Sequence, residues 1–308
     1  MNNKSILVFG GNGFIGKNFV NKFCKNNSVT VVYFKKKNNF IKKNNVEYIH
    51  LDIKSYKQIS KKLSLDYDYI VNLSGYVDHS NLNNSGFSVI DTHLLGLFNL
   101  VKYFKKSNQL KKFIQIGSGD EYGNNIMPFR ELKREQPFSP YSYAKVAANH
   151  FVEMSFKNIE FPAVGCRIFL SYGPYQDYNR LIPQVIFGCL NNLSFPVSAG
   201  KQYRDFCYID DVVNAIEVLI KSRKTSGNIY NIGSAKPIMV KTIIKKIHKI
   251  IGTGNPKFGN NPLRKNENLK LFANTDKIFK DTKWKPNINI DDGLKKTIKY
   301  YKKILNES

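Results

Sequence analysis

The chain has 308 residues, 42% of them hydrophobic, enough to bury a substantial core in one large domain or two closely joined ones. No apolar run approaches the roughly 18 residues of a membrane span and no cleavable leader pattern precedes the first strand, so a cytoplasmic location and no membrane partner are expected. The formal net charge of +25 comes from lysines dispersed among asparagines rather than from a binding tail, so no nucleic-acid partner is expected; Cys24, Cys166, Cys189 and Cys207 lack the close pairing of a metal or redox motif.

From the N-terminus, Ser5 to Phe9 is a short apolar run that reads as a buried parallel strand. The glycine-rich turn Gly10-Gly11-Asn12-Gly13-Phe14-Ile15-Gly16 follows, and Phe14, Phe19, Val20 and Phe23 then recur at helical spacing. Strand, turn and helix in that order point to a dinucleotide site. Gly10 permits the tight turn, Gly13 lets the backbone approach a pyrophosphate, and Gly16 lets the helix pack closely on the strand with its N-terminus toward the phosphates.

Further β-branched and aromatic runs follow at Val29 to Phe34, Val46 to Leu51, Tyr69 to Leu73, Phe113 to Ile116 and Ala163 to Phe169. Helical segments separate most of them, including Ile59 to Leu63 and Val89 to Phe104, whose apolar residues fall on one face. This alternation predicts an α/β fold with a doubly wound parallel sheet, whose ligands sit beyond the carboxyl ends of the strands. After Gly173 prolines become frequent and the helices shorten, to Leu181 to Leu190, Val212 to Ile220 and Ile238 to Ile251, with Asp210 and Asp211 as N-cap of the middle one. Residues 1–173 are therefore expected to form the dinucleotide-binding domain, with 203–233 returning to it, while 174–202 and 234–308 form a smaller mixed α/β capping domain. The last helix, Asp291 to Leu305, carries Leu294, Ile298, Tyr301 and Leu305 on one face.

Tyr141 and Lys145 are one helical turn apart at the start of a helix, where an ammonium stabilises a tyrosinate and lowers a phenol from its ordinary pKa of about 10. Such a tyrosine handles the proton that accompanies hydride transfer at a carbonyl. Ser118 ends the fifth strand within Gly117-Ser118-Gly119-Asp120-Glu121-Tyr122-Gly123. With the glycine fingerprint, the strand-ending serine and the Tyr-x-x-x-Lys in this order, the chain resembles the extended short-chain dehydrogenase/reductase family, in particular its NAD(P)-dependent nucleotide-sugar epimerases, dehydratases and reductases. The resemblance extends over essentially the whole chain, through Arg167 to Pro174, Arg204-Asp205-Phe206 and Pro262-Leu263-Arg264.

That resemblance implies a Rossmann-type sheet and a set of roles. Ser118, Tyr141 and Lys145 would be catalytic, with Ser118 on the sugar's 4-oxygen and Lys145 on the nicotinamide ribose. Gly10, Gly13, Phe14, Ile15, Gly16, Asp52, Ile53, Leu73, Ser74 and Gly75 would flank the cofactor together with Lys35 and Lys36. Ser118, Gly119, Asp120, Arg180, Arg204 and Arg264 would hold a nucleoside-diphosphate sugar, the arginines being suited to a diphosphate. The family also implies a homodimer through helices Val89 to Phe104 and Tyr141 to Phe156, and no metal. His93 and Leu170 depart from the family, which commonly has asparagine at both places. His79 either touches substrate or faces solvent, and is left outside the catalytic set.

Two local features bear on the reaction. The second strand ends in Tyr33-Phe34-Lys35-Lys36-Lys37, with no acid for a ribose 2′-hydroxyl, which favours NADP(H) over NAD(H). Relatives that eliminate water have an Asp-Glu pair directly after the serine or threonine, whereas here Gly119 intervenes. The expected activity is NADPH-dependent reduction of the 4-keto group of a nucleoside-diphosphate 4-keto-6-deoxyhexose for surface polysaccharides. A 4-epimerase is the alternative, followed by a 4,6-dehydratase and by a non-catalytic or RNA-binding relative.

Overall fold

A computed structural model describes residues 1–34, 41, 43–262 and 268–307. In chain order the first half runs β1 (Ser5–Phe9), α1 (Phe14–Phe23), β2 (Ser28–Tyr33), β3 (Val46–His50), α2 (Tyr56–Lys62), β4 (Tyr69–Asn72), α3 (Gly86–Phe104), β5 (Lys112–Ser118), α4 (Pro140–Ile159) and β6 (Ala163–Ile168). The second half runs β7 (Leu170–Tyr172), α5 (Leu181–Leu190), β8 (Ser194–Val197), β9 (Tyr203–Tyr208), α6 (Ile209–Lys221), β10 (Ile229–Ile232), β11 (Pro237–Met239), α7 (Val240–Ile251), β12 (Asn255–Phe258), β13 (Lys270–Leu271), α8 (Asp276–Thr282) and α9 (Ile290–Glu307).

Seven strands form one parallel sheet in the order β10-β6-β5-β4-β1-β2-β3. Its central strands are apolar on both faces because helices cover both: Ile6 and Val8 belong to one buried cluster, Leu7 and Phe9 to the other. The chain lays down β1 to β3 toward one edge and then crosses back to β4, so the connections after β1 and β4 diverge at the carboxyl edge. That divergence opens the crevice in which ligands of such sheets bind. It lies between Gly10 and Leu73, whose carbonyl oxygen would be 2.7 Å from any Cβ at position 10.

The second unit centres on β9, which pairs with β7, β11 and β13, while β8 and β12 pair separately. Of the segment 203–233, it is 229–232 that joins the large sheet, beside β6. The helix expected from Ile238 starts instead at Val240, because residues 237–239 pair antiparallel with β9 before the chain turns. Asp210 and Asp211 are not N-caps. Strand β9 passes directly into α6, so both acids lie in its first turn, and the Asp211 carboxylate accepts from the backbone of Asn287 and Ile288 instead. All four cysteines are buried and unpaired with one another. Among the described residues no helix is long and apolar enough to cross a membrane.

Candidate active site

The glycine turn forms one wall of a cleft of about 2340 Å³ at the carboxyl edge of the sheet. Gly10 has φ of +72° and accepts from the Gly13 backbone N–H at 2.9 Å. A Cβ at Gly16 would sit 2.4 Å from the Gly10 oxygen and 2.6 Å from the Gly11 Cα. Helix and strand can therefore approach this closely only with glycine there. Gly13 caps α1 without a side-chain hydrogen bond and no acid occupies the first turn, so the helix end favours an anion. The residues thus fit a dinucleotide pyrophosphate. Phe14, Ile15, Leu73, Ser74 and Gly75 line the same wall.

The facing wall carries Ser118, Tyr141 and Lys145. Ser139 and Ser142 form a reciprocal capping box, and Pro140 occupies the first position of α4, so the helix begins immediately before Tyr141. Tyr141 and Lys145 then project one turn apart into the cleft. Ser118 ends β5, its Oγ accepts from the Asp120 backbone at 3.2 Å, and it lines the cleft beside Tyr141. Gly119, Asp120, Arg180 and Arg204 line the cleft beside this pair.

The expected depression of the phenol pKa is not what the structure shows. Burial, and behind it the Asp120 charge, pushes Tyr141 well above its ordinary value, and the nearby Ser118 hydroxyl offsets only part of this. The Lys145 ammonium donates to the Ile116 carbonyl at 2.8 Å and is drawn down to about 8 by burial. Desolvation therefore outweighs the lysine's proximity, and Tyr141 is a protonated phenol at neutral pH.

Glu121 has a structural task. Its carboxylate accepts from the Ser118 backbone at 2.8 Å, from Asn149 at 2.8 and 2.9 Å, and from Arg167 Nε at 2.7 Å. Both partners of the Arg167–Glu121 ion pair are fully buried, and Arg167 also bonds Glu135. The network fixes the turn that carries Ser118.

Two imidazoles flank the tyrosine, each with its ring centroid 5.5 Å from that of Tyr141. His93, on α3, lies under the site with 4% exposure and its Nε2 3.2 Å from the Tyr76 carbonyl oxygen. Burial, followed by the Lys145 charge, pushes it down to about 3, so it is neutral. Gly75, at φ of +104°, leaves room for this ring: a Cβ there would be 2.1 Å from His93 Cε1. His79 lies on the open side, on the cleft wall, with Nε2 3.9 Å from Asp120 Oδ2. Sequence reasoning left His79 out. The signal available was Asp78, whose carboxylate accepts from Ser80 N and Ser85 Oγ and so fixes the turn that presents His79.

Of the other expected residues, Asp52 accepts from the Lys54 backbone at 2.9 Å and Ile53 packs under Gly96, and neither lines the cleft. Leu170 does line it. Lys35, Lys36 and Arg264 lie outside the described residues. Among the described residues no group of three His, Cys, Asp or Glu is placed to hold a metal.

A model of the NAD dependent epimerase/dehydratase family matches residues 6–233. The chain is 29% identical over 282 residues to a dTDP-D-glucose 4,6-dehydratase of Dictyostelium discoideum, a match covering 81% of this chain and 64%, just under two thirds, of that protein. It is 26% identical to a dTDP-glucose 4,6-dehydratase of Salmonella typhimurium, covering 96% of this chain and 92% of the other. Among solved structures, a UDP-glucose 4-epimerase from Thermotoga maritima crystallised with UDP-glucose superposes with a TM-score of 0.88 at 25% identity, covering 98% of this chain and 99% of the other.

Proposed function

Because the chain belongs to the NAD dependent epimerase/dehydratase family, whose members include nucleotide-sugar enzymes of the short-chain dehydrogenase/reductase type, we propose that it reduces the 4-keto group of a nucleoside-diphosphate 4-keto-6-deoxyhexose. One observation carries this reading: Tyr141 is a buried phenol, kept protonated beside Ser118 on the cleft wall. It is set to give a proton to an oxygen. Elimination of water has less support, since Gly119 offers no acid and Glu121 is engaged by Arg167, Asn149 and the Ser118 N–H.

When bound, the nicotinamide dinucleotide supplies the hydride. The chain's residues do the rest. Ser118 and Tyr141 hold the carbonyl oxygen, and Tyr141 passes its proton there as charge develops. Lys145 stands behind Tyr141 for the ribose, and its depressed pKa reflects burial that the Glu121 charge only partly offsets. Arg180 and Arg204 take the sugar's diphosphate, with Arg264 as a third donor. Residues 1–173 serve the dinucleotide, and 174–202 and 234–308 close over the sugar nucleotide. NADPH is preferred over NADH, since β2 ends at Tyr33 without an acid and Lys35 to Lys37 follow in sequence. The exposed Phe87, Leu95 and Phe98 of α3, beside Tyr143 and Met154 of α4, pair with a second copy of the chain.

The test is to mix the protein with NADPH and a panel of 4-keto-6-deoxy sugar nucleotides. Loss of nicotinamide absorbance with one of them supports the reductase. Tightly retained NAD with no net consumption overturns it in favour of 4-epimerisation.

A further inference from the structure

On the capping side of the cleft, Gln202 is 7% exposed and its Oε1 has no hydrogen-bond partner among the described residues. A buried acceptor left unpaired costs free energy until something brings it a donor. The amide nitrogen lies 3.5 Å from Ser198 Oγ, so the oxygen is the end left open. The main chain here is fixed, because the Gln202 carbonyl accepts from Val240 N at 2.9 Å, where α7 begins. Gln202 directly precedes β9, and strand alternation puts Gln202, Arg204 and Phe206 on the face that lines the cleft, whereas Tyr203, Asp205 and Cys207 do not line it. Apolar side chains adjoin the amide. Val197 precedes Ser198, Val240 is the residue bonded to Gln202, and both line the cleft with Phe195, whose ring packs so closely on α5 that a Cβ at Gly188 would meet it at 2.5 Å.

We propose that Gln202 reads the base of the sugar nucleotide and selects a keto-form base, uracil, thymine or guanine, over cytosine or adenine. This deepens the proposed function and rests on it, since there Arg204 takes the sugar's diphosphate. At a rise of about 3.3 Å per residue, Gln202 stands about 7 Å from Arg204 along β9, which leaves room for one pentose between phosphate and base. A flat ring enters between apolar side chains, and hydrogen bonds read its polar edge. In uracil, thymine and guanine the ring nitrogen on the edge away from the ribose carries a hydrogen. That N–H donates to Gln202 Oε1 and satisfies the buried acceptor. In cytosine and adenine the corresponding nitrogen is a lone pair, so an acceptor faces an acceptor. A site built around a buried polar atom discriminates against the ligand that leaves it unpaired.

The test is isothermal titration of the full chain with UDP, dTDP, CDP, GDP and ADP. Saturating NADP+, or NAD+ in a parallel series, keeps adenine nucleotides out of the dinucleotide site. UDP and CDP have rings of one size and differ at the edge that meets Gln202, as do GDP and ADP. In each pair that binds, the keto-form member should bind at least about tenfold tighter, with dTDP close to UDP. In Gln202→Met, checked by a cooperative melt, the gap should shrink to about twofold or less. Equal affinities or the reverse order in the wild type overturn the base reading alone, and this comparison needs no variant. A gap that stays near its wild-type size in Gln202→Met assigns the selection to other residues and overturns it as well. Failure of all five to bind overturns the nucleotide-sugar reading and the base reading with it.

Discussion

His93→Asn tests the electrostatics beneath Tyr141. In the folded protein burial and Lys145 hold the imidazole at about 3, against about 6.5 for a histidine in an unfolded chain. Between these values the unfolded state binds a proton that the native state refuses. Stability is therefore lost as pH falls through 6.5 and continues to fall toward 3, the reverse of a histidine that gains a carboxylate partner. Working the linkage with those two values, His93 alone removes about 2 kcal/mol between pH 7 and pH 5. Asparagine leaves a gap and a lost bond to Tyr76, but neither cost depends on pH. Urea unfolding of both proteins at pH 7, 6 and 5 gives the comparison, and other titrating groups cancel in the difference. The stability gap between wild type and variant should narrow by about 2 kcal/mol from pH 7 to pH 5. Parallel pH profiles would refute the claim that a neutral, desolvated imidazole lies under Tyr141.

Glu121→Gln leaves the buried Arg167 with Glu135 as its remaining close ion-pair partner among the described residues, and should cost about 3 kcal/mol or more in chemical denaturation; a loss under about 1 kcal/mol would mean that water already reaches the pair. Gly16→Ala places a methyl against backbone at 2.4 Å and should weaken NADPH binding by at least about tenfold in a fluorescence titration. Unchanged affinity would mean that the turn does not cradle the pyrophosphate. Phe98→Glu charges the exposed α3 face and should shift the protein to monomer in sedimentation, whereas a wild type that is already monomeric would remove the basis for the dimer.

What the sequence made legible was local. Ser5 to Phe9, the glycine turn and the Leu181–Leu190 helix lie where periodicity and turn chemistry put them. The one-turn spacing of Tyr141 and Lys145 likewise brings both into the cleft. What escaped depends on contacts between distant residues. Helix α7 is shortened because residues 237–239 find a partner strand more than thirty residues earlier, as the pairing of Pro237 with Asp205 shows. Glu121 looks like a second acid beside Asp120 until Arg167, 46 residues on, is seen to hold it. His79 meets Asp120 only because β4 and β5 are neighbours in the sheet. The direction of the Tyr141 shift escapes the sequence for a related reason: spacing reports the nearby ammonium, but only the packed fold reports the desolvation that outweighs it.

The central claim, hydride delivery to the keto carbon with the proton from Tyr141, is tested most directly by isotope transfer. NADPH carrying deuterium at nicotinamide C4 is incubated with the keto sugar nucleotide that the protein consumes, and the product is examined by NMR. The account predicts one deuterium at sugar C4 for each cofactor oxidised, and a rate lowered by about 100-fold or more in Tyr141→Phe. Product without deuterium at C4, or undiminished transfer in Tyr141→Phe, would contradict it.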